Sequence, residues 1–470
     1  TTLFRSYPII PKVLVAVSVK FLLLTDLLLQ FFLSWICARS QNADILIVCS
    51  FAIGFLKGFL MLWFIRYAQK IFSPNNVRSE FYSYFYPLVY GGGQVSMLVT
   101  AQLAYYYDWK YMYYFMMLLM LVAILLVIIC FRHNRPIKSV PIADLHIREM
   151  FIISAGLLML MYVINYGKVL DWMSSAKICA YIVIAPMLIA LFIWIQIHSD
   201  KPYVSLAPLY QPKAIIGYLY MMIVMFFSTS TTLLTNYLSV ILKVDTTHTY
   251  SLYIYLLPGY LAGAFICFWW FRWQRWRFRF LIAGGMGCFV IFFAILYFGI
   301  SPGSTYEMLY LPIFFRGLGM LTLIIAFALF AVEDLNSKYL LSNAFFLIIF
   351  RSVLTPIMAT SFYSNVLYRL EQKYMCSLSE TITTADPLAA SKYSQSLNTA
   401  LSQGHRYDEA VQIATNSLHA TLQQQSLLLA LKEILGYLLV ISVIIAVVSR
   451  FIPFHKTIRV TFLRTGDDMV

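Results

Sequence analysis

Apolar runs of about 20 residues recur along almost the whole chain, and that recurrence restricts the fold more than any other feature. A helix of that length crosses a bilayer core about 30 Å thick. Across 470 residues only 11% are charged and 61% are hydrophobic, too little polar surface to cover a soluble domain. The alternation of a membrane barrel is missing, so the reading is an all-α polytopic membrane protein. A partial run at 8–19 is followed by full ones at 21–37, 45–71, 80–105, 111–131, 149–167, 177–197 and 214–241. Five more lie at 249–271, 279–299, 306–331, 339–364 and 428–451.

The segment 272–279 sets the orientation. Arg272, Arg275, Arg277 and Arg279 alternate with aromatics between two of the runs. Guanidinium groups are costly to move across a bilayer, so this loop is expected to stay cytoplasmic with its tryptophans at headgroup level. Counting spans from it puts Arg66, Lys70, Arg132, Arg135, Lys138 and Lys201 inside as well. The short outer loops keep only Arg39, Lys110, Lys168, Lys177 and Lys243. The net charge of +14 is therefore a pattern of membrane orientation, and no nucleic-acid partner is expected.

Residues 366–427 are the one large polar insertion, placed outside by the same count. Asp386-Pro387 reads as a helix start and Gly404 as a stop. Val411, Ala414, Leu418 and Leu422 recur at helical spacing, so two amphipathic helices are expected to lead into the last span. Six of the seven cysteines lie in apolar segments and only Cys376 in the polar one, which gives no disulfide framework and no metal-ligand spacing. The histidines are scattered. No phosphate-binding glycine loop, HExxH or nucleophile elbow is present, so an enzyme is not expected. Gly91-Gly92-Gly93 falls inside a span, where close helix packing or a bend explains it better than nucleotide binding. The first residue is Thr1 and the first run is short, so the chain reads as truncated at its N-terminus.

Charges at membrane depth are expensive and mark function by default. Lys57 and Arg351 fall near the middle of their spans, Arg316 about ten residues into its span, and Asp26 little more than a turn inside its own. Asp26 also suits a residue beside the interface, and Arg316 a donor to backbone carbonyls. Glu333-Asp334 reads as a loop-capping pair. A cavity built on these residues is rich in cations and poor in acids. It would favour an anionic or carboxylate-bearing ligand, or an amphiphile stacked on tyrosine and phenylalanine.

In order and spacing, the segments resemble the major facilitator superfamily, and within it the fourteen-span EmrB/QacA-type drug:proton antiporters. The motifs that carry the likeness are Tyr166-Gly167-Lys168-Val169-Leu170-Asp171-Trp172, Trp109-Lys110, Pro258-Gly259, Arg316-Gly317-Leu318-Gly319 and Arg351. The insertion at 366–427 matches the family's large outer loop. The resemblance implies two six-helix halves with two extra central spans, the first span and part of the second missing. The corresponding bounds are 1–148, 149–213 and 214–470. It further implies alternating access about a midplane site, efflux of drugs or amphipathic compounds, and a proton gradient as energy source with no cofactor. A bacterial inner membrane and a periplasmic adaptor on 366–427 follow from the same likeness. Departures bear on the coupling. Ser50 stands where an arginine is usual, with Lys57 two turns on along the same face. Ser96, Met97, Thr100 and Ala101 replace the antiporter motif, and Leu354 and Thr355 replace two glycines after Arg351. Organic-anion transport, and a sensor or scaffold that has lost transport, remain as alternatives.

Overall fold

The computed structural model describes residues 18–73, 77–131, 147–199, 202–273, 278–381 and 386–452. All regular structure among them is helical. The N-terminal group comprises α1 (Val19–Arg39), α2 (Ala43–Phe72), α3 (Arg78–Tyr106) and α4 (Lys110–Cys130). A hairpin of α5 (Ile147–Tyr166) and α6 (Ala176–His198) follows. The C-terminal group begins with α7 (Pro212–Ser228) and the short α8 (Thr231–Asn236) and α9 (Thr246–Leu252). It continues with α10 (Leu256–Trp273), α11 (Phe278–Gly299), α12 (Tyr310–Phe330), α13 (Leu340–Ile348) and α14 (Thr355–Thr381), and closes with α15 (Pro387–Ser402) and α16 (Tyr407–Phe451). Every full apolar run of the sequence falls on one of these helices or on a stack of two. The partial run at 8–19 lies almost entirely outside the described residues. Among the described residues, ten helices or stacks are long and apolar enough to cross a membrane.

The helices pack unevenly. α12 is the centre of the C-terminal group, with every residue from Gly319 to Phe330 buried against α7, α10 and α11. α4 instead buries only Met120, Ile124 and Val127 and turns the rest of its apolar surface outward. In lipid that exposure costs little, because acyl chains are as apolar as leucine. α3 is the N-terminal helix that packs on α9, α10 and α12.

Three expectations need correction. The insertion is not two separate helices ahead of a short span. α14 runs on to Thr381, α15 covers Pro387–Ser402, and α16 is a single helix of 45 residues, about 68 Å long. A bilayer core spans less than half of that length. The face of Val411, Ala414, Leu418 and Leu422 is buried or half-buried, with α16 packed on α14 and α15. Ala400, Ala410 and Ala414 are all but fully buried, and such small side chains let α15 and α16 approach closely.

The second correction concerns the glycine triplet. A Cβ on Gly91 would meet Leu257 at 3.5 Å, whereas Gly92 and Gly93 face open space, so close packing does not account for the run. The third concerns Glu333 and Asp334. Their carboxylates take the Lys213 ammonium at 2.9 and 2.7 Å, tying the start of α7 to the turn after α12. The cap and stop at 386 and 404 are present as expected. Asp386 accepts from the Leu388 N–H with Pro387 next to it, and Gly404 ends α15 with φ at 87°.

Candidate functional site

The site is built on a backbone-to-backbone crossing. A Cβ on Gly259 of α10 would lie 2.5 Å from the Phe314 carbonyl oxygen and 3.1 Å from Gly317 Cα. One on Gly317 of α12 would lie 2.8 Å from the Leu256 oxygen. Only glycine fits at either position, so the Pro258-Gly259 and Arg316-Gly317 motifs are two faces of one contact. That contact holds Arg316 and Tyr260 beside each other.

Arg316 is buried, and its Nη2 donates to Ser228 Oγ at 3.2 Å. Its Nε and Nη1 are buried without a hydrogen-bond partner among the described residues. A desolvated guanidinium with two idle donors is costly, and a carboxylate is the acceptor that best offsets its charge. Ser228 in turn donates to Met320 Sδ, which also takes the Tyr260 hydroxyl. Of the two readings of Arg316, donation to backbone carbonyls is not what the side chain does; it bonds a serine hydroxyl.

Arg351 sits in a π-helical turn, Ile349–Leu354, between α13 and α14. Such turns interrupt the regular ladder and occur often at functional sites. Thr355 Oγ1 donates to the Phe350 oxygen at 2.6 Å and satisfies a carbonyl there. This is the segment where the family pattern has glycines. The guanidinium carbon lies 5.8 Å from the centre of the Tyr86 ring, within cation–π range.

Across from both arginines runs a stripe on α3 that the sequence reading missed. Arg78, Tyr82, Tyr86, Tyr90 and Gln94 recur every four residues, so each neighbours the next along a stripe that winds slowly round the helix. Neighbouring rings are 5.4 Å apart from Tyr82 to Tyr86 and 6.3 Å from Tyr86 to Tyr90. Tyr90 meets Tyr260 at 6.0 Å. The i, i+4 repeat was visible in the sequence and is the signal that would have found it. An aromatic wall from the N-terminal helices thus faces a cationic wall from the C-terminal ones.

The other sequence candidates lie elsewhere. Asp26 is buried on α1, packed beside α4, where one carboxylate oxygen accepts from Gln30 Nε2 at 3.2 Å and the other has no partner among the described residues. It lies a little under two turns from the start of α1 and is 4% exposed. Lys57 is exposed on α2, and no described hydrogen bond or ion pair ties it to Arg316 or Arg351. Arg272 and Arg279 end α10 and begin α11, with the Arg272 guanidinium about 6 Å from the Phe268 and Trp269 rings, while Arg275 and Arg277 lie outside the described residues. Among the described residues no group of His, Cys, Asp and Glu could hold a metal ion.

Long apolar helices around buried guanidinium groups define the class, a multi-pass membrane protein with a polar site among its helices. The Major Facilitator Superfamily profile matches residues 13–359 of the 470, and the chain belongs to that superfamily of secondary transporters. A comparison with curated proteins gave no match.

Proposed function

We propose that this transporter exports amphipathic organic compounds carrying a negative charge, by alternating access between its N-terminal and C-terminal helices. The observation that carries this is the pair of idle nitrogens on buried Arg316, near Tyr260, whose ring meets that of Tyr90. A carboxylate would accept from the guanidinium, and an aromatic body would stack on the tyrosines. Rocking of one helix group on the other would break and remake the contact of α3 with α10 and α12.

The efflux direction, the fourteen-span EmrB/QacA-type subfamily, the drug-like substrate and the bacterial inner membrane are readings that rest on the motif likeness. Proton coupling is assigned to Asp26, a buried carboxylate on α1. An adaptor on 366–427 would have to use the exposed tip, where Leu388 and Tyr407 project, because the inner apolar face is taken up by the chain's own helices.

The test is transport in proteoliposomes under an imposed pH gradient, with an aromatic carboxylate dye and its amine counterpart. Gradient-dependent movement of the acid and little of the amine is expected. Preference for the amine would reject the anionic reading, and no flux of either with retained binding would favour a sensor.

A further inference from the structure

A cavity of about 670 Å³ lies between the α5–α6 turn and helices α7, α14 and α16. Its volume lies within the ordinary range for small-molecule sites. Thr355, Met358, Phe362, Asn365 and Arg369 of α14 line it at spacings of three and four, so they form one helix face. That face is about 21 Å long and is graded, apolar through its middle and ending at Asn365 and Arg369. Met358, Phe362 and Ile441 line the cavity and are themselves close to half exposed, which opens it sideways towards the acyl region.

The wall contributed by the α5–α6 turn is held at a conformational cost. Asp171 and Trp172 have φ of 51° and 49°. Aspartate tolerates that left-handed region, whereas a tryptophan there is an outlier that persists only where surroundings enforce it. The Trp172 N–H donates to the Gly167 oxygen at 2.7 Å, and a Cβ on Gly167 would lie 2.7 Å from the indole. The turn keeps a strained residue and a glycine to set one indole at the cavity. Two cations accompany it: Lys168, held 3.7 Å over the Tyr368 ring, and Arg369, with no described ion pair.

We propose that this cavity is a lateral binding site for a membrane-borne, single-chain amphiphile with an anionic head group, its chain lying along Met358 and Phe362 and its head at Arg369. The gradient along α14 fits a molecule apolar over most of its length and charged at one end. An excess of positive charge at the polar end selects an anion over a zwitterion. The site is separate from Arg316 and Arg351 and does not rest on the proposed export.

The experiment uses the full chain in phosphatidylcholine nanodiscs, labelled with a diazirine-bearing long-chain carboxylate and with the matched long-chain alcohol. Mass spectrometry should find the carboxylate on peptides containing Met358, Phe362 and Ile441, and the alcohol much less. Arg369→Gln should lower carboxylate labelling about tenfold or more, the range for losing a charged hydrogen bond, and Arg369→Lys should keep most of it. Ile441→Trp, at the open lip, should block labelling with the melting temperature unchanged, which keeps the test usable if Arg369→Gln folds poorly. Arg351→Gln should leave the labelling as it is. Labelling spread evenly onto the outward face of α4, at Leu118 and Leu125, would overturn the proposal. Equal labelling by the alcohol, or no effect of Arg369→Gln in a folded protein, would do the same.

Discussion

Gly259→Ala is the substitution whose consequence follows most directly from the geometry. The added methyl would sit 2.5 Å from the Phe314 oxygen, 2.9 Å from the Leu318 nitrogen and 3.1 Å from Gly317 Cα. All three are backbone atoms of α12, so no side-chain rotation relieves the clash. Ordinary contact requires roughly 3.5 Å, which forces α10 and α12 apart by about 1 Å. Overpacking of this kind costs about 1–3 kcal/mol, and backbone against backbone belongs at the upper end. A drop in melting temperature of roughly 5 °C in detergent is the expected scale. Gly284→Ala on α11 is the control, because nothing lies within 4 Å of its Cβ position. There the helix gains about 0.5–1 kcal/mol from losing a flexible residue. Tyr260 follows Gly259 directly, so transport by the surviving Gly259→Ala protein should also fall. Equal melting temperatures for the two variants would refute the claim that α10 and α12 touch through their backbones.

Three other outcomes are expected. Lys213→Met leaves Glu333, whose side chain is 6% exposed, without its ammonium; the half-exposed lysine limits the loss to about 1–2 kcal/mol, read as a lower melting temperature that Lys213→Arg restores. Asp26→Asn keeps the hydrogen bond with Gln30 but cannot carry a proton, so gradient-driven flux should vanish while exchange of substrate without a gradient persists; loss of both would make Asp26 structural. A cysteine placed at Ser391 after removal of Cys376 should react with a membrane-impermeant maleimide in intact cells, and labelling only after the membrane is broken would reverse the proposed orientation.

The spans were legible because desolvated backbone leaves helices as the solution for long apolar runs. What hydropathy could not give was where a helix stops once it leaves the bilayer. No proline lies between Tyr407 and Phe451, and that continuity was the available sign that α16 is one helix. The apolar spacing of Val411, Ala414, Leu418 and Leu422 marked a buried face correctly but not its occupant, which is the chain itself. For the site, Arg316 and Arg351 stood out as costly charges, and the Gly259 and Gly317 motifs marked their scaffold. The i, i+4 tyrosine repeat of α3 was visible in the sequence, whereas its pairing with α10 is a long-range contact that no local pattern encodes. Lys57, chosen on depth alone, lies exposed on α2 and away from any described polar partner, because depth says nothing about which face a residue occupies.

The most direct test of the central claim is flux per folded molecule for Arg351→Gln and Arg351→Lys, with expression and melting measured on the same preparations. A guanidinium near mid-membrane costs at least about 2.5–3.5 kcal/mol, so a purely structural role would surface as lost stability. The arrangement of Arg351 over Tyr86 predicts that the Gln variant inserts and melts like the parent yet loses substrate flux about tenfold or more, while Lys keeps part of it. Normal flux per folded molecule in the Gln variant, with any deficit confined to melting, would contradict a substrate site between α3 and the two arginines.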